Sequence, residues 1–111
     1  MDISTAVIHL SALAQESRLE IFRLLVQNGP KGLCVSEIGE HISIAPATLS
    51  FHLKELSRAG LVTATRESRH IFYAPNFAAM NDLLEYLTEN CCGGTSCAPC
   101  QPEPKRKEAS K

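Results

Sequence analysis

Four of the chain's five cysteines, Cys91, Cys92, Cys97 and Cys100, fall within ten residues. Thiolates at that density point to one of two chemistries: capture of a soft metal or metalloid, or dithiol redox exchange. Cys97-Ala98-Pro99-Cys100 has the spacing of a redox pair, but it follows Gly93-Gly94-Thr95-Ser96, and a redox dithiol normally opens a helix in a strand–helix–strand setting. Four thiolates could hold Zn²⁺ or Cd²⁺ tetrahedrally, although these are closer together than in an ordinary structural zinc site. A disulfide framework is not expected, because the cysteine count is odd and the start of the chain lacks a basic-then-apolar leader. Cys34 stands alone and reads as a small buried hydrophobe. No Ser-His-Asp set, phosphate-cradling glycine loop or paired-carboxylate pocket is visible, so the chain is not expected to be an enzyme.

A second group of residues could meet a polyanion. The 111 residues carry a formal net charge of −1, which excludes a uniformly basic coat. The charge is uneven, however. Residues 46–73 hold four Lys or Arg against two Asp or Glu, while 74–100 hold three acids and no base. A locally basic element on an acidic body suggests a polyanion bound by one face. With four Phe, two Tyr and no Trp, a large stacking platform for single strands is excluded. No apolar run is long enough to span a membrane, and the protein is expected to be soluble and cytoplasmic.

The elements that must position these residues follow from periodicity. Ile3, Val7, Leu10 and Ala14 predict a helix over 3–15. Ser17 with Glu20 has the form of a capping box opening a second helix, which Asn28-Gly29-Pro30 stops. Val35, Ile38 and Ile42 predict a short third helix. Pro46 suits the first turn of a fourth, in which Leu49, Leu53 and Leu56 recur at helical spacing before Ala59-Gly60. These two helices, joined by Ser43-Ile44-Ala45, read as a helix-turn-helix. Two β-prone runs, 61–66 and 69–73, flank a Glu67-Ser68 turn. Phe77, Met80, Leu84 and Leu87 then line a last helix over 76–89. The expected fold is mainly α with a small β-hairpin: a winged helix-turn-helix whose first and last helices are apolar enough to form a homodimer interface. Residues 1–92 would form this DNA-binding and dimerisation domain, and 93–111 a flexible, cysteine-containing tail.

On the fourth helix, Thr48 and Ser50 lie in the first turns, where a recognition helix meets base edges, and Lys54 suits a phosphate. His52 is a DNA contact or an inward histidine bonded within the motif. Arg66 and Arg69 bracket the hairpin tip, within reach of phosphate or a narrow minor groove.

The stretch Ala45 to Tyr73, APATLSFHLKELSRAGLVTATRESRHIFY, closely resembles the signature of the ArsR/SmtB family of metal-responsive repressors. The upstream SRLEIFRLLVQNG resembles that family's second helix, and the likeness spans roughly 5–90. It implies a homodimeric repressor that leaves operator DNA when a toxic metal or metalloid binds. The family often has Gly in the wing turn where this chain has Ser68. Arsenic sensors with a Cys-Val-Cys pair on the third helix are matched only by Cys34-Val35-Ser36, and a hard hydroxyl replaces a soft thiolate poorly. Zinc sensors use Asp and His pairs on the last helix, where this chain offers Asp82, Glu85 and Glu89 without His. Cys91-Cys92 followed by Cys97 resembles another arsenic-responsive branch, with trivalent arsenic bound past the last helix. The resemblance therefore implies Cys91, Cys92 and Cys97 as ligands, with Cys100 as the alternative third, and trivalent arsenic or antimony as inducer. A zinc- or cadmium-responsive repressor, and a small thiol redox or metal-carrier protein, are the other readings.

Overall fold

The computed structural model describes residues 1–94 of the chain. Its elements run α1 (Ile3–Leu13), α2 (Glu16–Asn28), β1 (Leu33–Cys34), α3 (Val35–His41), α4 (Pro46–Arg58), β2 (Val62–Glu67), β3 (His70–Pro75), α5 (Phe77–Leu87) and a 3₁₀ segment (Cys91–Gly94). Helices α1 and α2 pack against α4, α3 pairs with α4, and α5 lies against α1. An antiparallel sheet of order β1-β3-β2 forms the wing. Ile21 and Leu25 of α2, Ile38 of α3, and Leu53 and Leu56 of α4 are fully buried and hold the helices together.

Several boundaries differ from expectation for local reasons. The capping box at Ser17 does not open α2. The helix begins at Glu16, and the longer Gln15 side chain curls back to accept the Arg18 N–H at 3.0 Å. Strand β1 carries no sequence signal, because two residues show no periodicity. It exists because Leu33 and Cys34 pair with Tyr73 and Phe72. Gly32 makes that approach possible: its φ is +86°, and a Cβ there would lie 3.0 Å from the Tyr73 carbonyl oxygen.

The hairpin turn falls one residue later than expected. Glu67 pairs with His70, leaving Ser68 and Arg69 as a two-residue turn, with Ser68 at φ +58°. Strand β2 keeps its expected six residues, shifted by one, and β3 runs on to Pro75. Arg69 therefore stands at the very tip of the wing instead of in a strand. Asn76 fixes the start of α5, accepting from Ala79 N at 3.1 Å and donating through Nδ2 to the Gly60 carbonyl at 3.1 Å.

Helix α1 is inverted relative to ordinary amphipathic packing. It buries Ala6 and His9, while Ile3, Val7, Ile8 and Leu10 stay exposed. In α5, Leu83 is buried and Leu84 and Leu87 are each more than half exposed. A groove of about 400 Å³, lined by Leu13, Leu19, Phe22, Val26, Met80 and Leu84, runs between α1, α2 and α5.

A left-handed conformation costs an L-residue about 1–2 kcal/mol, part of which a glycine returns through its greater freedom when unfolded. Ser68→Gly is accordingly expected to raise unfolding free energy by about 0.5 kcal/mol in urea titrations; a decrease would contradict the turn assignment.

Candidate DNA interface and thiol cluster

Helix α4 has two chemically distinct sides. Leu49, Leu53 and Leu56 are buried along one, and Thr48, Ser50 and Lys54 are exposed elsewhere on its circumference. Pro46 occupies its first turn, and Ala45, ahead of it, supplies no side-chain cap. The first N–H groups of α4 are thus not capped by a side chain, and the positive end of the helix dipole lies at the same end as Thr48 and Ser50.

His52 does not share that exposed surface. It is buried, with Nδ1 3.5 Å from Arg18 Nη1. A guanidinium can only donate, so this contact requires a neutral histidine whose Nδ1 accepts. Of the two sequence readings of His52, the geometry matches the inward one. Arg18 Nε also donates to the Ala12 carbonyl at 2.7 Å, so a single side chain of α2 ties the end of α1 to α4. Sequence reading did not single out Arg18. The signal was its position on the Arg18, Ile21, Phe22 and Leu25 stripe, a cation in register with buried side chains.

In the wing, Arg66 on β2 and Arg69 at the tip are both exposed. Ser50 and Arg69 line one cleft of about 700 Å³ together with Cys34, Ser36, His70 and Tyr73. Recognition helix and wing therefore present a continuous surface. Within it, Cys34 Sγ lies 3.2 Å from Ser36 Oγ. The two positions face each other as a chelating pair would, but only one carries sulfur. The Glu37 carboxylate accepts the Cys34 N–H at 3.0 Å, a hydrogen bond that holds its carboxyl below the usual range.

The C-terminal cysteines begin where regular helix has ended. Helix α5 stops at Leu87; the Thr88 hydroxyl donates to the Leu84 carbonyl at 2.9 Å, and Asn90, Cys92 and Gly93 all take positive φ. Adjacent residues on an α-helix point about 100° apart, and this break frees Cys91 and Cys92 from that constraint. Cys34 and Cys91 are free thiols. Cys92 is disulfide-bonded, which a dithiol pair allows and a wider disulfide framework does not require. Cys97 and Cys100 lie outside the described residues. No group of three His, Cys, Asp or Glu able to hold a metal ion occurs among the described residues.

Desolvation, with Arg18 adding to it, lowers the His52 pKa from its ordinary 6.5. The unfolded chain then binds the proton more readily, so the stability from neutral His52 is complete above pH 6.5 and declines as the pH falls below it. His52→Asn, whose amide oxygen can accept in place of Nδ1, is expected to lose this component of acid sensitivity. Urea unfolding of both proteins on either side of that pH checks the difference; parallel pH profiles would refute it.

Residues 13–64 match the family described as a helix-turn-helix domain. The chain is 37% identical over 81 residues to the arsenical resistance operon repressor of Bacillus subtilis, covering 73% of each. It is 33% identical over 87 residues to the transcriptional activator HlyU of Vibrio cholerae, covering 78% of each. The solved structure of that HlyU superposes with a TM-score of 0.62 at 35% identity, over 78% of this chain and 97% of the other. An antimony-specific transcriptional repressor, AntR, superposes at 0.59 with 26% identity, over 73% and 72% of the two chains. No helix among the described residues is long and apolar enough to cross a membrane. With a helix-turn-helix, a wing and relatives that regulate transcription at this identity and coverage, the chain belongs to the ArsR/SmtB family of winged helix-turn-helix transcriptional regulators.

Proposed function

We propose that the protein is a cytoplasmic homodimeric repressor that binds operator DNA in its apo form and releases it when trivalent arsenic, or the chemically similar trivalent antimony, binds Cys91, Cys92 and Cys97. Cys100 is the alternative third donor. The observation that carries this reading is the end of α5 at Leu87, which sets two adjacent cysteines just beyond the exposed Leu84 and Leu87. An apolar stripe at that end of α5, with the exposed Ile3, Val7 and Leu10 of α1, supplies a surface for a second copy. Ligand capture there acts next to the subunit contact, and it displaces DNA if the bound form favours a spacing of recognition helices that fits two half-sites poorly. A coupling of about 1–3 kcal/mol is typical of such linkage.

Trivalent arsenic takes three soft donors and leaves no need for a fourth, which suits three cysteines. Cys92 must be reduced to take part, so the sensing form is the thiol form. Similarity to the arsenical resistance repressor of Bacillus subtilis supports the metalloid, and similarity to AntR supports antimony. On the DNA side, Lys54, Arg66 and Arg69 act on phosphate, while Thr48 and Ser50 act on base edges. His52 positions α4 through Arg18 and is left out of the contacts.

Reduced protein bound to its operator is expected to dissociate with arsenite or antimonite and to stay bound with zinc or cadmium. Cys91→Ser and Cys92→Ser should keep operator affinity and lose release, and Cys34→Ser should still respond. Release of the Cys91→Ser, Cys92→Ser double variant by arsenite would overturn the assignment. Lys54→Ala and Arg69→Ala should weaken binding on every duplex and each reduce the log–log salt slope by about 1. Unchanged slopes would remove these residues from the interface.

A further inference from the structure

One large apolar side chain sits on the outward side of α4. Phe51 is 53% exposed. Leu49 and Leu53, two residues to either side and about 160° around the helix, are completely buried, so Phe51 lies opposite the core-facing stripe. Its neighbours along the surface are Ala47 one turn before and Lys54 and Glu55 one turn after. Glu55, the acidic one, is paired with Arg58 at 2.9 Å, so its charge is offset beside Phe51. The ring also lies 5.7 Å from the His52 ring and tilted to it, and His52 is itself contacted by Arg18. A phenyl group in the middle of a small, polar and cationic helix face is poorly suited to water. It is well suited to the one apolar group that the major groove displays, the C5-methyl of thymine.

We propose that Phe51 is a specificity-determining residue that reads a thymine methyl in each operator half-site. This rests on the DNA-binding reading of α4 given above. The small side chains of Ala47 and Ser50 leave room for the ring to approach the groove floor, while Lys54 supplies the phosphate contact that fixes register. The selectivity comes from burying the methyl against the ring. Replacing thymine by uracil removes only that methyl and leaves base pairing intact.

The test uses the full-length reduced dimer and duplexes that it enriches from a random pool. Each thymine of the enriched half-site is replaced in turn by deoxyuridine. The wild-type protein is expected to lose about fourfold in affinity at one position per half-site, the effect of withdrawing one buried methyl. Phe51→Ala and Phe51→Gln are expected to bind the thymine and uracil duplexes equally at that position, with unchanged melting temperatures because the site is exposed. Indifference of the wild-type protein to every uracil substitution would overturn the proposal while leaving DNA binding intact. So would methyl sensitivity that persists in both variants, or a Phe51→Ala dimer that dissociates without any change in methyl sensitivity, since the ring would then serve contact between copies. Failure of the wild-type protein to enrich any duplex would overturn the DNA-binding reading itself.

Discussion

Leu49, Leu53 and Leu56 leave almost no accessible surface on the inner side of α4, and each such burial contributes roughly 1.5–3 kcal/mol. That anchoring determines which residues the helix can offer outward, and it is sided by spacing alone. Thr48, Ser50, Phe51 and Lys54 are presented because the leucines occupy the opposite arc. Arg18 adds direction to this packing. By bonding the Ala12 carbonyl at the end of α1 and facing His52 of α4, it makes the angle of the recognition helix depend on where α1 lies. A helix held only by leucines could slide in its groove; one also held by a fixed polar contact has a single register.

The dependence on α1 gives the proposed regulation its physical route. Helix α1 turns a histidine inward and four large aliphatic side chains outward, an arrangement that makes sense only if something covers them. In the proposed dimer the partner covers them, and α5 contributes Leu84 and Leu87 to the same contact. Thiol chemistry just beyond α5 would then act on subunit orientation, and through α1 and Arg18 on α4. The α3 position cannot substitute for it, since Ser36 faces Cys34 with oxygen where a soft ion needs sulfur.

Most of the frame was legible in the sequence because leucine and isoleucine spacing reports a helix face directly. What escaped was set by contacts distant in sequence or by single dihedral angles. Strand β1 exists only through its pairing with β3. The turn moved from Glu67-Ser68 to Ser68-Arg69 because Ser68 accepts a left-handed conformation normally left to glycine, and this carried Arg69 to the wing tip. Gln15, not Ser17, caps α2, accepting from Arg18 N so that the helix starts at Glu16. Among the site residues, the exposure of Thr48, Ser50, Lys54, Arg66 and Arg69 followed from helix and hairpin geometry. The inward orientation of His52 did not, because it depends on Arg18, thirty-four residues away. The bonded state of Cys92 was equally invisible to composition.

The proposed regulation depends on which atoms surround the bound metalloid. X-ray absorption at the arsenic edge, on reduced protein carrying one equivalent of arsenite per subunit, should show three sulfur neighbours and no lighter ligand. The same measurement on Cys91→Ser should show one sulfur fewer with oxygen in its place. An arsenic shell that is unchanged by that substitution, or one completed by nitrogen or oxygen in the unaltered protein, would contradict the thiolate site.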